Sequence, residues 1–179
     1  PLTGEEIRDY VRRDSLQVLR KSKSYLDSID AKGNKFKIMK IISGYTYTNS
    51  FKQWSLSYES PLPNIAFNTV QGWNSHTGLN FHKWYDENRG NTLTASLFAT
   101  YGLAEDRLRF TGGLTRNFNL KDKLRLSLSG GSGIYQFNEG NPISSRINTI
   151  STLFFERNYM KIYEKNFIRF HYSQEVLNG

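Results

Sequence analysis

The feature that most constrains this chain is a sustained two-residue alternation between residues 92 and 137, interrupted only at two short turns. Leu93, Ala95, Leu97, Ala99, Tyr101 and Leu103 fall on one face, with Thr94, Ser96, Phe98, Thr100 and Gly102 on the other. After Ala104-Glu105-Asp106 the pattern resumes: Leu108, Phe110, Gly112, Leu114 and Phe118 stand against Arg109, Thr111, Gly113, Thr115 and Asn117. After Leu120-Lys121-Asp122 it resumes again, with Leu124, Leu126 and Leu128 against Arg125, Ser127 and Ser129. A period of two belongs to β-strands, and strands of about ten residues joined by tight turns make an antiparallel up-and-down meander.

The same period begins near residue 44. Tyr45, Tyr47, Asn49 and Phe51 alternate with Thr46, Thr48 and Ser50, and Trp54, Leu56 and Tyr58 with Ser55 and Ser57. Pro61 and Pro63 break the chain. Ile65 and Phe67 then open an extended stretch through Trp73, and Leu79, Phe81 and Tyr85 form a further strand. Upstream the period is helical. Thr3 and Glu6 have the spacing of a capping box, and Ile7, Tyr10, Val11, Leu19, Leu26 and Ile29 recur at roughly helical intervals to about residue 30. Asp14-Ser15 is a candidate interruption, and Lys32-Gly33-Asn34 carries turn chemistry. Residues 138–147 read as a loop, and 167–173 as a strand. Residues 148–165 fit both a helix, through Ile150, Leu153, Phe154 and Tyr159, and a strand, through Tyr159, Lys161 and Tyr163. The expected organisation is a helix and linker over 1–43, followed by strands over 44–179.

Composition narrows the class. The chain has 179 residues, 37% of them hydrophobic and 15% aromatic, which is too few aliphatics for a helical bundle and too many aromatics for a disordered chain. No apolar run is long enough for a transmembrane helix, a test to which membrane β-strands are invisible. The absence of cysteine excludes disulfides and thiolate chemistry. A net charge of +8 admits an acidic partner, but the basic residues are dispersed. The densest group, Arg8, Arg12, Arg13, Arg20, Lys21 and Lys23, reads as a solvated helix face or as attachment to an anionic lipid surface.

Alternation is common to soluble sandwiches and membrane barrels, so the polar face has to discriminate. Over 94–102, 109–117 and 125–133 it holds Thr, Ser, Asn, Gly, Phe98, Arg109 and Arg125, and no Lys, Asp or Glu. Charges gather in the turns instead: Asp86, Glu87 and Arg89; Glu105, Asp106 and Arg107; Lys121, Asp122 and Lys123. A face open to bulk water usually carries Lys and Glu, whereas a lumen lined by small hydroxylic residues, with aliphatics outside, is the pattern of a transmembrane barrel. Trp54, Tyr58, Trp73, Trp84, Tyr85 and Tyr101 are then candidate interfacial aromatics, and Arg109 and Arg125, on adjacent strands, are candidate lumen-facing cations that can pair with a plug, a loop or an anionic solute. A soluble β-rich module binding an acidic partner, nucleic acid or glycan, is the rival reading. Seven or eight strands with no evident partnership between first and last leave two unpaired edges. Such edges are costly in lipid, so the chain is expected to be a segment of a larger barrel.

Sites for chemistry are sparse. Ser129-Gly130-Gly131-Ser132-Gly133 lacks the lysine and helix of a phosphate loop and reads as small residues where strands bend or pack closely. His76, His82 and His171 lack metal-ligand spacing. No nucleophile elbow precedes a helix. No catalytic, metal or cofactor residue is therefore assigned, and the chain is not expected to be an enzyme. Lys161, Tyr163, Phe167 and Arg169 give a short basic-aromatic stretch, read as a rim girdle rather than a nucleic-acid surface.

Several stretches together resemble a known family. They are Pro1-Leu2-Thr3 with Glu5-Glu6; Tyr25-Leu26-Asp27-Ser28 with Asn34-Lys35-Phe36; Gly44-Tyr45-Thr46-Tyr47 with Asn49-Ser50; Phe67-Asn68-Thr69-Val70 with Gly72 and Asn74; Asn141-Pro142-Ile143-Ser144; and, longest, the run from Thr152 to Lys165. The chain resembles Bacteroidota outer-membrane proteins of unknown function that carry an N-terminal carboxypeptidase-regulatory-like domain before a large β-barrel. The resemblance implies an internal segment of a longer protein in the bacterial outer membrane, with the helix over 1–43 in the periplasm. Its implied partners are outer-membrane lipid, the remainder of its own parent chain and other outer-membrane or periplasmic proteins, with no nucleic acid. Transport, assembly and surface scaffolding are the roles it leaves open, and it brings no catalytic residues.

Overall fold

The computed structural model describes residues 3–86, 90–118 and 123–175. The turn read at Leu120-Lys121-Asp122, the charges at Glu87 and Arg89, and the Pro1-Leu2 dipeptide lie outside the described residues.

Helix α1 (Gly4–Lys21) starts at the predicted capping box: Glu6 N–H donates to Thr3 Oγ1 at 3.4 Å, and Thr3 N–H donates to Glu6 Oε2 at 2.7 Å. Thr3 N–H and then the Thr3 hydroxyl, donating to the Glu6 carboxylate, hold it below the usual carboxylate range. Asp14-Ser15 does not interrupt the helix, because the Ser15 hydroxyl donates back to Val11 O at 2.8 Å while the backbone stays helical. The break comes at Ser22, which is extended (φ −66°, ψ 145°) and serves both sides. Its N–H donates to Leu19 O, ending α1, and its hydroxyl accepts from Tyr25 N–H, starting α2 (Lys23–Gly33). A short α3 (Met39–Ser43) leads into the sheet through Gly44 at φ +95°.

The sheet is antiparallel throughout. Strands β1 (Tyr45–Asn49), β2 (Trp54–Glu59), β4 (Gly72–Trp84), β5 (Thr92–Gly102), β6 (Arg107–Asn117), β7 (Arg125–Gln136) and β8 (Ile162–Ser173) follow one another in that order across it. The short β3 (Ala66–Asn68) pairs with the start of β4. The fold is thus mainly β and up-and-down, preceded by helix, as the alternation predicts; the sheet is open, with β1 and β8 at its two sides. Two segments differ from the sequence reading. Residues 72–84 form one strand rather than two, because the polar stretch in its middle pairs without a break along β5, from Asn74↔Gly102 to Trp84↔Thr92. The ambiguous 148–165 segment divides: α4 (Ser145–Phe155) ends at Glu156 in the left-handed region (φ 53°), and the backbone is extended again from Ile162.

Register keeps the two faces separate. Leu79, Leu97 and Gly112 are neighbours on one face, as are Leu114 and Leu128; Ser96 and Gly113, and Thr115 and Ser127, are neighbours on the other. The aliphatic face is open: Leu97 is 52% exposed, Leu128 51% and Ile168 88%. The polar face is the more enclosed, holding Thr92 and Arg109 at 6% and 4%. Ala66 is the one buried hydrophobic residue among the described residues. The accessible surface is 13061 Å² for 20.8 kDa. A compact monomer of that mass exposes about 8,900 Å². The sheet therefore has no core of its own on its aliphatic side.

Candidate functional site

The enclosed end of the polar face is the most built part of the molecule. It lies where β4 begins and β5 turns into β6, and it is covered by the arm 60–71 and by α4. The arm is set by Asn68. Its Oδ1 accepts from Val70 N–H at 3.0 Å and Gln71 N–H at 2.8 Å, and its Nδ2 donates to Gln71 Oε1 at 3.0 Å. Gly72, at φ +64°, then turns the chain into β4, and a Cβ there would stand 2.9 Å from the Ala104 Cβ. The β5–β6 turn docks on this arm, with Leu103 N–H donating to Trp73 O and Ala104 N–H to Gln71 O, both at 2.9 Å.

Helix α4 is tied down by polar groups rather than by an apolar stripe. Asn148 is fully buried. Its Oδ1 accepts from Tyr159 N–H at 2.9 Å and Met160 N–H at 3.1 Å, and its Nδ2 donates to Asn158 Oδ1 at 3.0 Å. Phe67 N–H donates to the Thr149 hydroxyl at 2.8 Å, and Asn158 Nδ2 donates to the Thr69 hydroxyl at 2.8 Å. Arm, helix and wall together enclose a cavity of about 560 Å³ lined by His76, Thr100, Thr111, Gln71, Tyr135 and Met160 among others. Its chemistry is that of amides, hydroxyls and aromatic rings. Glu139 is the acidic residue of its lining, and the Tyr163 hydroxyl and then Lys165 hold its carboxyl below the usual range.

Arg109 stands beside this cap. The ladder between β6 and β7 ends at Thr111↔Gly131, where Gly131 has φ +137° and a Cβ would lie 2.1 Å from Phe110 O. Beyond that point the β7–β8 hairpin leaves β6, and the Arg109 guanidinium occupies the seam. It donates to Glu105 of its own turn and, at 3.4 Å, to Glu164 of β8; Arg107 reaches the same Glu164 oxygen at 2.9 Å. Two cations and two carboxylates alternate, so the cluster is neutral and acts as a clamp. Arg109 Nε and Nη1 are buried without a hydrogen-bond partner among the described residues.

The two candidate lumenal arginines are not brought together. Both lie on the polar-face series of alternating residues, but Arg125 pairs in register with Asn117 at the far end and is exposed. Eight strand residues, about 26 Å, separate Asn117 from Arg109. Of the six candidate interfacial aromatics, Trp54, Tyr58, Trp73 and Tyr101 share the aliphatic face by register. Tyr85, just past β4, carries the Arg116 guanidinium 3.9 Å from its ring centre. Trp84 differs: it is on the polar face, 4.5 Å from the His82 ring. Sequence reasoning missed Glu105 and Glu164 as partners of Arg109, and gave Asn68, Gln71 and Asn148 no structural role. Charge beside a turn was a usable signal for Glu105; a lone Asn in a helix is none. Among the described residues no group of three or more His, Asp or Glu side chains gathers to hold a metal. The glycine run of β7 is where backbones approach: a Cβ on Gly130 would meet Phe167 O at 2.9 Å.

Compared with known proteins, residues 39–179 match the model for the family of unknown function (DUF5686) C-terminal domain. No curated protein and no solved structure matches.

Proposed function

Because the chain belongs to the DUF5686 family of unknown function, whose C-terminal domain covers residues 39–179, membership brings no activity with it, and we propose one from the sheet itself. In this reading the chain is a segment of an outer-membrane β-barrel wall: the aliphatic face meets hydrocarbon, the Thr/Ser face lines an aqueous lumen, and the arm with α4 narrows one mouth. The observation that carries it is the inverted burial, with aliphatic side chains exposed and hydroxylic ones enclosed.

Dimensions support the reading. Strands β5 and β6 have 11 residues each. That length is about 36 Å, which spans about 26 Å of bilayer at a tilt of ~45°. Trp73 and Tyr101 stand near one end of the aliphatic face, and Trp54 and Tyr85 near the other, the arrangement of two aromatic girdles. Strand β8, which pairs with β7 alone among the described residues, calls for further strands to complete the wall. The role is passage or assembly at the outer membrane, with the capped mouth as its selective element. None of the described helices is long and apolar enough to cross a membrane, so crossing rests on strands.

Fractionation of cells expressing the chain tests this. The reading predicts co-sedimentation with outer membranes, resistance to a carbonate wash and release by detergent. A monodisperse, detergent-free protein with a cooperative melt would replace it with the soluble β-module.

A further inference from the structure

The cavity under the arm and α4 uses only part of its hydrogen-bonding capacity. Gln71, 3% exposed, is the clearest case in its lining. Val70 N–H and Gln71 N–H both donate to Asn68 Oδ1, which orients the Asn68 amide with Nδ2 as the donor to Gln71 Oε1. That bond in turn engages the Gln71 oxygen, and Gln71 Nε2 is left buried with no acceptor among the described residues. A buried donor in this state is costly until an acceptor is supplied. Groups on the neighbouring strands are uncommitted too. His76 and Thr100 are paired in register across β4 and β5, and Thr111 stands on β6 one alternation step from Arg109, the other register partner of Thr100. The His76 ring and the hydroxyls of Thr100, Thr111 and Tyr135 make no hydrogen bond among the described residues.

The charges around the cavity are already matched. Glu139 accepts from the Tyr163 hydroxyl at 2.7 Å and meets Lys165 at 3.5 Å, and Arg109 gives its charge to Glu105 and Glu164. The rest of the lining is apolar or aromatic, with Phe67 from the arm, Ile134 and Tyr135 from β7 and Met160 from the chain after α4. Gly133 lets the Tyr135 ring lie against the strand: a Cβ there would stand 2.9 Å from a ring carbon and 3.3 Å from the Thr111 methyl. A ligand for these walls needs groups that both donate and accept in several directions, a C–H surface to lay on the rings, and no net charge. A sugar ring has all three. A planar base presents its polar edge on one side, and a sugar acid or amino acid brings a charge for which the lining holds no free partner.

We infer that this cavity is a binding site for a neutral sugar of one or two rings, whose hydroxyls bond Gln71 Nε2, Thr100 and Thr111 and whose C–H face packs on Phe67 and Tyr135. Its volume of about 560 Å³ falls within the ~300–1,000 Å³ of small-molecule sites. As the selective element of a barrel mouth the site rests on the barrel reading; sugar binding itself does not.

Ligand-detected saturation-transfer NMR tests it on the full chain, held in a detergent without a sugar headgroup. The probes are glucose, galactose, maltose and cellobiose, with glucuronate and adenosine as charged and planar comparators. At least one neutral sugar is expected to take up saturation at its ring C–H protons and to bind about tenfold more tightly than either comparator. Thr100→Val/Thr111→Val removes two hydroxyls that hold nothing else, and is expected to lower that affinity about tenfold while amide exchange in 145–160 stays as in the unaltered chain. Tyr135→Leu loses binding, Tyr135→Phe keeps most of it, and Thr115→Val, towards the far end of the same face, leaves it unchanged. No saturation of any of the four neutral sugars, tighter binding of glucuronate or adenosine, or undiminished binding by Thr100→Val/Thr111→Val overturns the inference. Sugar binding by a chain that does not partition into outer membranes would sink the barrel reading alone, and partition without sugar binding would sink this inference alone.

Discussion

The wall formed by β4–β7 and the cap formed by the arm 60–71 with α4 are held together by different physics. In the wall, neighbouring strands follow in chain order, the register keeps the two residue series on separate faces, and the bonds are backbone ladders. In the cap, contacts join residues more than eighty positions apart through single side chains, as Thr149 does with Phe67 and Asn158 with Thr69. The wall is therefore a distributed structure that tolerates the loss of any one hydroxyl. The cap is a keyed structure in which one buried amide satisfies several backbone groups.

The sharpest way to break this contrast is Gly131→Val. A side chain there needs a left-handed backbone and meets Phe110 O, so a loss of at least about 3 kcal/mol is expected, read as faster amide exchange across β6 and β7 while the cap stays protected. Asn148→Ala comes next. It removes the fully buried amide and takes from Tyr159 N–H its acceptor, while Met160 N–H keeps Asn158 Oδ1 at 3.2 Å, so about 2 kcal/mol is expected, with exchange confined to 145–160 and the arm. If Asn148→Ala also loosens β5 and β6, wall and cap are one cooperative unit and the contrast fails. Thr115→Val removes a 2.9 Å hydroxyl pair with Ser127 and should cost no more than about 1 kcal/mol.

Legibility in the sequence follows the same division. The β5 and β6 alternation is visible because a period of two is a local property, and the strands hold it over most of their 11 residues, with Arg116 breaking the aliphatic series near the end of β6. Thr3 and Glu6 were readable because a capping box lies within one turn of chain. Ser22, by contrast, outcompeted Asp14-Ser15 as the helix break because its backbone N–H and its hydroxyl serve two helices at once, a choice decided by neighbours on both sides. The cap is illegible for a further reason. Asn68, Gln71 and Asn148 look like ordinary loop and helix polars until folding brings β3 against α4, and Glu164 sits mid-strand, where nothing local marks it as a partner of Arg109.

The smallest expected effect lies on the cavity rim. The Glu139 carboxyl is held low by the Tyr163 hydroxyl and then by Lys165, so its contribution is present above the ordinary carboxylate range and is lost as pH falls through the depressed value. Exchange in 137–144 should rise slightly with acidification below that ordinary range. Glu139→Gln should remove this dependence and leave the wall unchanged. An acid response confined to β5 and β6 instead would move the titrating contact into the wall.

The measurement that bears most directly on the central claim uses the absence of native cysteine. Single cysteines at Leu97, Leu114 and Leu128, and at Ser96, Thr115 and Ser127, are spin-labelled in the chain reconstituted in lipid, and collision with oxygen and with a water-soluble nickel chelate is compared. Oxygen access with chelate exclusion at the three leucine positions, and the reverse at the three hydroxyl positions, is the predicted result. Labels at the leucine positions that are immobilised and reached by neither reagent would mean that protein, not hydrocarbon, covers that face.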